Sequence, residues 1–151
     1  MAENKATQTQ QQTPKPNPDL KSADKFIGTW KWSGGLQGSS TYEWSEGGFF
    51  LINRYEFEQD GRELKGIEIA GHEHDLNSAP GKEIKSRIYN FTDGTTLNYV
   101  HEFEGDTLTT WFGEKGSDSV MHGKFSDNGK RLEIEWKYPG GGYKATAVKV
   151  K

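Results

Sequence analysis

The chain has 151 residues and a formal charge of -3, lacks cysteine, and carries five Trp, six Tyr and eight Phe within an apolar content of only 31%. That length is one domain's worth, the lack of Cys excludes disulfide and thiolate chemistry, and burial must depend on aromatic more than aliphatic side chains. Lys and Arg are scattered rather than clustered, and neither a signal peptide nor a bilayer-length apolar run is present, so the expectation is a cytoplasmic protein with no nucleic-acid and no membrane partner.

In chain order, residues 1–18 hold a Gln-rich stretch and then Pro14, Pro16 and Pro18 with almost nothing apolar, which predicts a disordered polar tail before a single domain over 19–151. Asp19 to Ile27 follows as one or two helical turns, with Asp19 as cap and Leu20, Ala23 and Ile27 on one face. From Gly28 onward, Gly, Asn and Asp pairs such as Gly34-Gly35, Asp60-Gly61, Asp93-Gly94 and Asn128-Gly129 mark hairpin turns, because these residues tolerate positive φ. The turns divide the remainder into strands over 28–33, 38–46, 48–59, 62–75, 82–92, 95–104, 106–113, 118–126, 131–138 and 142–150. Alternation is clear in Leu51, Asn53, Tyr55 and Phe57, in Leu97, Tyr99, His101 and Phe103, and in Leu132, Ile134, Trp136 and Tyr138. The predicted fold is all-β: a closed antiparallel up-and-down barrel of about ten strands, with the short helix covering one end. A barrel of that strand number is wide enough to hold a ligand cavity.

Phe26-x-Gly28-Thr29-Trp30, Tyr42-Glu43-Trp44-x-x-Gly47-Gly48-Phe49-Phe50-Leu51, Gly66-Ile67-Glu68-x-x-Gly71-His72-Glu73 and Gly123-x-Phe125-Ser126-Asp127-Asn128-Gly129, with Trp136 after them, resemble a bacterial family of lipocalin-like proteins, DUF1579. The resemblance implies a calycin-type barrel without an assigned activity, in which Gly28, Trp30, Trp44 and Trp136 are structural signature positions. A G-x-W opening is shared more loosely with lipocalins, fatty-acid-binding proteins and haem-binding nitrobindins. Nitrobindins hold haem through a His near the C-terminus, whereas the last His here is His122, so no cofactor is expected and haem is disfavoured. Fatty-acid-binding proteins hold a carboxylate with buried Arg and Tyr, a role open to Arg54, Arg87, Tyr89 and Tyr99 if they face inward.

Candidate ligand-binding residues are Arg54, Tyr55, Arg87, Tyr99, His101, Trp111 and His122. An inward Arg54 or Arg87 would select an anionic or carbonyl-bearing ligand through its donor fork. His101 lies in an apolar row, with Glu102 on the opposite face, and reads as a hydrogen-bonded wall residue rather than a catalyst. His72 and His74 would share a strand face and chelate one ion if His101, Glu102 or His122 supplied a third ligand; the competing reading is a solvated strand end. Among the five tryptophans, two or three line a pocket if one exists.

The leading reading is a non-catalytic module binding a small hydrophobic or amphipathic molecule in the lumen, as a monomer or homodimer. The alternatives are an isomerase or hydrolase using a lumen His or carboxylate, and a structural or interaction protein with a filled lumen.

Overall fold

The computed structural model describes residues 13–151; of the tail expected over 1–18, residues 1–12 lie outside that range. A 3-10 helix, η1 (Pro18–Phe26), is followed by ten strands: β1 (Gly28–Gly34), β2 (Gln37–Trp44), β3 (Phe50–Gln59), β4 (Arg62–Gly71), β5 (Ile84–Asn90), β6 (Thr96–Glu104), β7 (Thr107–Phe112), β8 (Val120–Ser126), β9 (Arg131–Tyr138) and β10 (Gly141–Lys149). Each strand pairs with its sequence neighbours, and β10 returns to β1 with Trp30 opposite Lys149 and Gly34 opposite Ala145. The sheet is therefore a closed antiparallel up-and-down barrel of ten strands, as the turn spacing predicts. Closure leaves no strand edge unpaired. Among the described residues, no helix is long and apolar enough to cross a membrane.

Strand alternation sorts the side chains. Trp30 and Trp32, Leu132 and Ile134, and Ala145 and Ala147 are buried on the inside, while intervening positions such as Lys31, Glu133 and Thr146 face away from the lumen. The barrel's two ends differ. At one end η1 lies across the opening and buries Leu20, Ala23 and Phe26 against the core. At the other lie the β1–β2, β3–β4, β5–β6, β7–β8 and β9–β10 turns, around the mouth.

The helix departs from expectation in type and cap. It is a 3-10 helix capped by Asn17, whose Oδ1 accepts from the Asp19 amide at 3.1 Å, and its buried residues recur at three-residue spacing. A period of three puts Phe26, not Ile27, on the face with Leu20 and Ala23. Runs of this length are uncommon for 3-10 geometry, and here tertiary bonds hold it. Trp30 Nε1 donates to Phe26 O at 2.7 Å, Trp44 Nε1 to Asp24 Oδ1 at 2.8 Å, and Lys25 Nζ to Gly105 O at 2.7 Å. Gly28 makes the sharp change from helix to strand at φ 126°, where a Cβ would also run into the Lys151 carbonyl.

Strand four ends earlier than expected. It stops at Gly71 rather than continuing to 75, because His72 turns away to bond two partners instead of a strand neighbour. His72 Nδ1 donates to Gly81 O at 2.8 Å and Nε2 meets Asp19 Oδ1 at 2.6 Å, tying the 72–83 loop to η1.

Candidate functional site

The lumen contains a cavity of about 470 Å³. It extends from Leu20, Ala23 and Phe26 beneath η1 to Gln59, Arg62 and Asp93 at the mouth, so the interior is not filled by side chains. Its volume lies in the ~300–1,000 Å³ range of small-molecule sites. Trp32, Leu51, Phe57, Phe103, Leu132 and Trp136 supply much of its apolar wall.

Midway along the lumen, the inward positions of β3 to β7 bring five polar residues together. Asn53 and Glu68 are register partners across β3 and β4, His101 and Thr110 across β6 and β7, and Ser86 sits between them on β5. Ser86 Oγ donates to Glu68 Oε2 at 2.7 Å, and Asn53 Nδ2 donates to Glu68 Oε1 at 3.3 Å. His101 Nε2 lies 2.7 Å from Ser86 Oγ, and His101 Nδ1 lies 2.8 Å from Thr110 Oγ1. These contacts settle the direction of the chain. An ionised carboxylate only accepts, so the Ser86 proton points to Glu68 and Ser86 Oγ accepts from Nε2–H of His101. Nδ1 and the Thr110 hydroxyl share the remaining bond, at the far side of the ring from Ser86.

Burial pushes the Glu68 carboxyl upward, but the hydrogen bond and charge of His101, with the bonds from Ser86 and Asn53, outweigh it and hold the group below its ordinary value. Glu68 is therefore an ionised carboxylate facing the lumen. Its charge acts on the nearby phenols. Burial, then Glu68, then Asp93 push Tyr55 up to about 12, and burial followed by Glu68 raises Tyr42 and Tyr99 as well. All three tyrosines stay neutral donors at ordinary pH.

Of the residues singled out from sequence, Tyr55, Tyr99 and His101 line the cavity, and four others face away from it. Arg54 falls between inward Asn53 and Tyr55, so its guanidinium points out and lies 3.7 Å from Glu43. Arg87 alternates with inward Ser86 and Ile88 and donates from Nε to Asn98 Oδ1 at 2.9 Å on the outside. Trp111 follows inward Thr110, and Lys115 Nζ sits over its ring at 5.8 Å. His122 lies between inward Met121 and Gly123 and is exposed. Tyr89, on the face of Arg87, is 40% exposed. The fatty-acid-binding arrangement of inward Arg thus has no counterpart at these positions.

His72 and His74 do not share a strand face, since both lie beyond the end of β4; His72 is buried under η1 and His74 is exposed. Among the described residues, no three His, Asp or Glu side chains converge as metal ligands. Of the four signature positions, Trp136 also lines the cavity. Trp30 is fully buried, Trp44 bonds η1, Trp136 packs 5.8 Å from the Tyr99 ring, and Gly28 makes the turn.

Glu68, Ser86 and Thr110 were not legible as site residues. In Gly66-Ile67-Glu68-Ile69-Ala70 the two isoleucines suggest that the Glu faces solvent, yet Gly66, Glu68 and Ala70 face in. Tyr55 explains the inversion, because its hydroxyl and ring lie over Gly66 where any Cβ would collide. The signal available in sequence was the pair of small residues flanking Glu68 at two-residue spacing.

Fold and site define a closed up-and-down β-barrel with a mostly apolar lumen pocket and one internal polar cluster. Neither a protein-family model nor a curated protein matches the chain.

Proposed function

We propose that the protein binds a small apolar or amphipathic molecule in the barrel lumen, in the manner of lipocalin-like carriers. The observation that carries this reading is the cavity of about 470 Å³, apolar along most of its wall and polar at one level. Burying ~250 Å² of apolar ligand surface there would contribute roughly 6 kcal/mol before the costs of association are subtracted. The motif resemblance to the DUF1579 family fits the same reading. Trp32 and Trp136 line the cavity and report on it directly. Titration with the neutral apolar probe N-phenyl-1-naphthylamine is expected to quench tryptophan fluorescence and raise probe emission. Ala70→Phe, which fills the lumen from an inward position, is expected to abolish both while the protein stays folded. Probe signals unchanged by Ala70→Phe would reject lumen binding.

A second reading, proton-transfer catalysis, has its own observation: Glu68 Oε2 and His101 Nε2 lie 3.6 Å apart inside the same cavity. Ser86 is poorly arranged as a nucleophile, because its proton goes to a carboxylate of lowered basicity rather than to the imidazole. An isomerase using Glu68 and His101 is the form of catalysis this geometry favours. Recovery of bound molecules unchanged after incubation supports the binding reading over it.

A further inference from the structure

The polar cluster has a sense of direction that narrows what it can hold. Two of its protons are committed within the cluster, His101 Nε2–H to Ser86 and the Ser86 hydroxyl to Glu68, and His101 Nδ1 and Thr110 Oγ1 share one more bond. Apart from the second Asn53 amide proton, what remains unspent is chiefly acceptor capacity. A carboxylate offers about four lone-pair sites, and among the described residues Glu68 receives hydrogen bonds only from Ser86 and Asn53. Asn53 turns its Nδ2 to Glu68, and its Oδ1 is buried with no hydrogen-bond partner among the described residues. Ser86 and Thr110 each keep a lone pair.

The charges lining the cavity point the same way. Among the described residues, the only Lys or Arg on the wall is Arg62, which sits at the mouth 3.6 Å from Asp93 Oδ2. Among the described residues no Lys or Arg lies deeper in the lumen to meet a ligand carboxylate, His101 is already spent on the cluster, and a carboxylate brought beside Glu68 would place like charges together in a poorly solvated space.

We propose that the lumen selects amphipathic molecules whose polar head is a hydrogen-bond donor, above all a primary alkylammonium, seated against the Glu68 carboxylate, and rejects the corresponding carboxylates. The proposal rests on lumen binding and adds the head-group chemistry. An ammonium gives three donors and no acceptor, which complements a cluster whose spare sites accept. The apolar wall on either side of Glu68 takes the chain. Tyr99, a neutral phenol on the same wall, is the donor left for an alcohol head.

The test is a matched series of ten-carbon ligands, decylamine, decan-1-ol and decanoate, titrated at pH 7 below their micelle thresholds and followed by tryptophan fluorescence and calorimetry. Decylamine is expected to bind at least about tenfold more tightly than decanoate, with the alcohol between them, as the loss of a charge-assisted bond implies. In Glu68→Gln the amine should weaken about tenfold while the alcohol changes less than about threefold. Decanoate binding as tightly as decylamine to the unaltered protein overturns the head-group assignment and leaves lumen binding standing. Silence from all three ligands overturns lumen binding as well. Because the series is run on the unaltered protein, a Glu68→Gln variant that fails to fold does not blunt the comparison.

Discussion

At Trp30 a single side chain joins the sheet to its cover. The indole is fully buried, its ring meets Phe125 edge-on at 6.2 Å, and its Nε1 donates to the last residue of η1. Trp30→Ala removes packing and leaves the Phe26 carbonyl without its donor, so urea unfolding should show a loss of roughly 3–5 kcal/mol. Trp111 is the control, since its ring lies on the exterior beneath Lys115. Trp111→Ala should cost less than about 1 kcal/mol in the same measurement. Equal losses would mean that the two rings do not differ in role. The contrast also shows why residue type alone misleads: both are tryptophans in strands, and only Trp30's shared parity with inward Trp32 and Trp111's opposite parity to inward Thr110 separate core from surface.

Among the elements, η1 is held more by its tertiary bonds than by its own geometry. Asp19 is its link to the 72–83 loop, and the His72 ring that it meets is buried. Asp19→Ala should strip that ring nitrogen of its acceptor at a cost of about 1–3 kcal/mol. Hydrogen exchange should then accelerate in the amides of residues 20–27 while the amides of β7 and β8 keep their protection. Uniform acceleration would mean that η1 does not open separately from the barrel. The existence of this element was legible in Leu20 and Ala23, but its 3-10 period was not, because two apolar residues three apart suit either helix. The strands were more legible than the helix: turn residues fixed their number, and β9 matches its expected span throughout. The excess length assigned to strand four came from treating His72 to Asp75 as a continued alternation, whereas the bonds that end the strand come from Asp19 and Gly81, distant in sequence or formed only once the loop folds. The site was the least legible part. Glu68, Ser86 and Thr110 acquire meaning only when closure brings β4, β5 and β7 around one lumen.

For the molecule as a whole, the lumen couples folding to pH at both extremes. The Glu68 carboxyl is held below its ordinary value in the folded state, so its contribution is present above the unfolded value of about 4.3 and is lost as pH falls through the folded value. Tyr42, Tyr55, Tyr99 and Tyr143 have raised values when folded, chiefly through burial. Their contribution is complete below the unfolded value of about 10 and is lost as pH climbs beyond it, since the unfolded phenols release protons that the folded ones retain. Unfolding free energy measured from pH 3 to 11.5 should therefore fall at both ends, and Glu68→Gln should flatten the acid limb while leaving the alkaline limb in place. An unchanged acid limb in that variant would remove Glu68 from the account.

The unequal ends of the barrel carry a kinetic consequence. With η1 across one end, a guest of the proposed kind would enter and leave the lumen by the same mouth, beside Arg62 and Asp93. Replacement of one such guest by another would then be sequential, the first backing out before the second advances. However concentrated a competitor, its uptake by an occupied barrel would then proceed no faster than the resident molecule's own dissociation. Dwell time, set by the wall and by Glu68, would govern how quickly such a carrier could change its cargo.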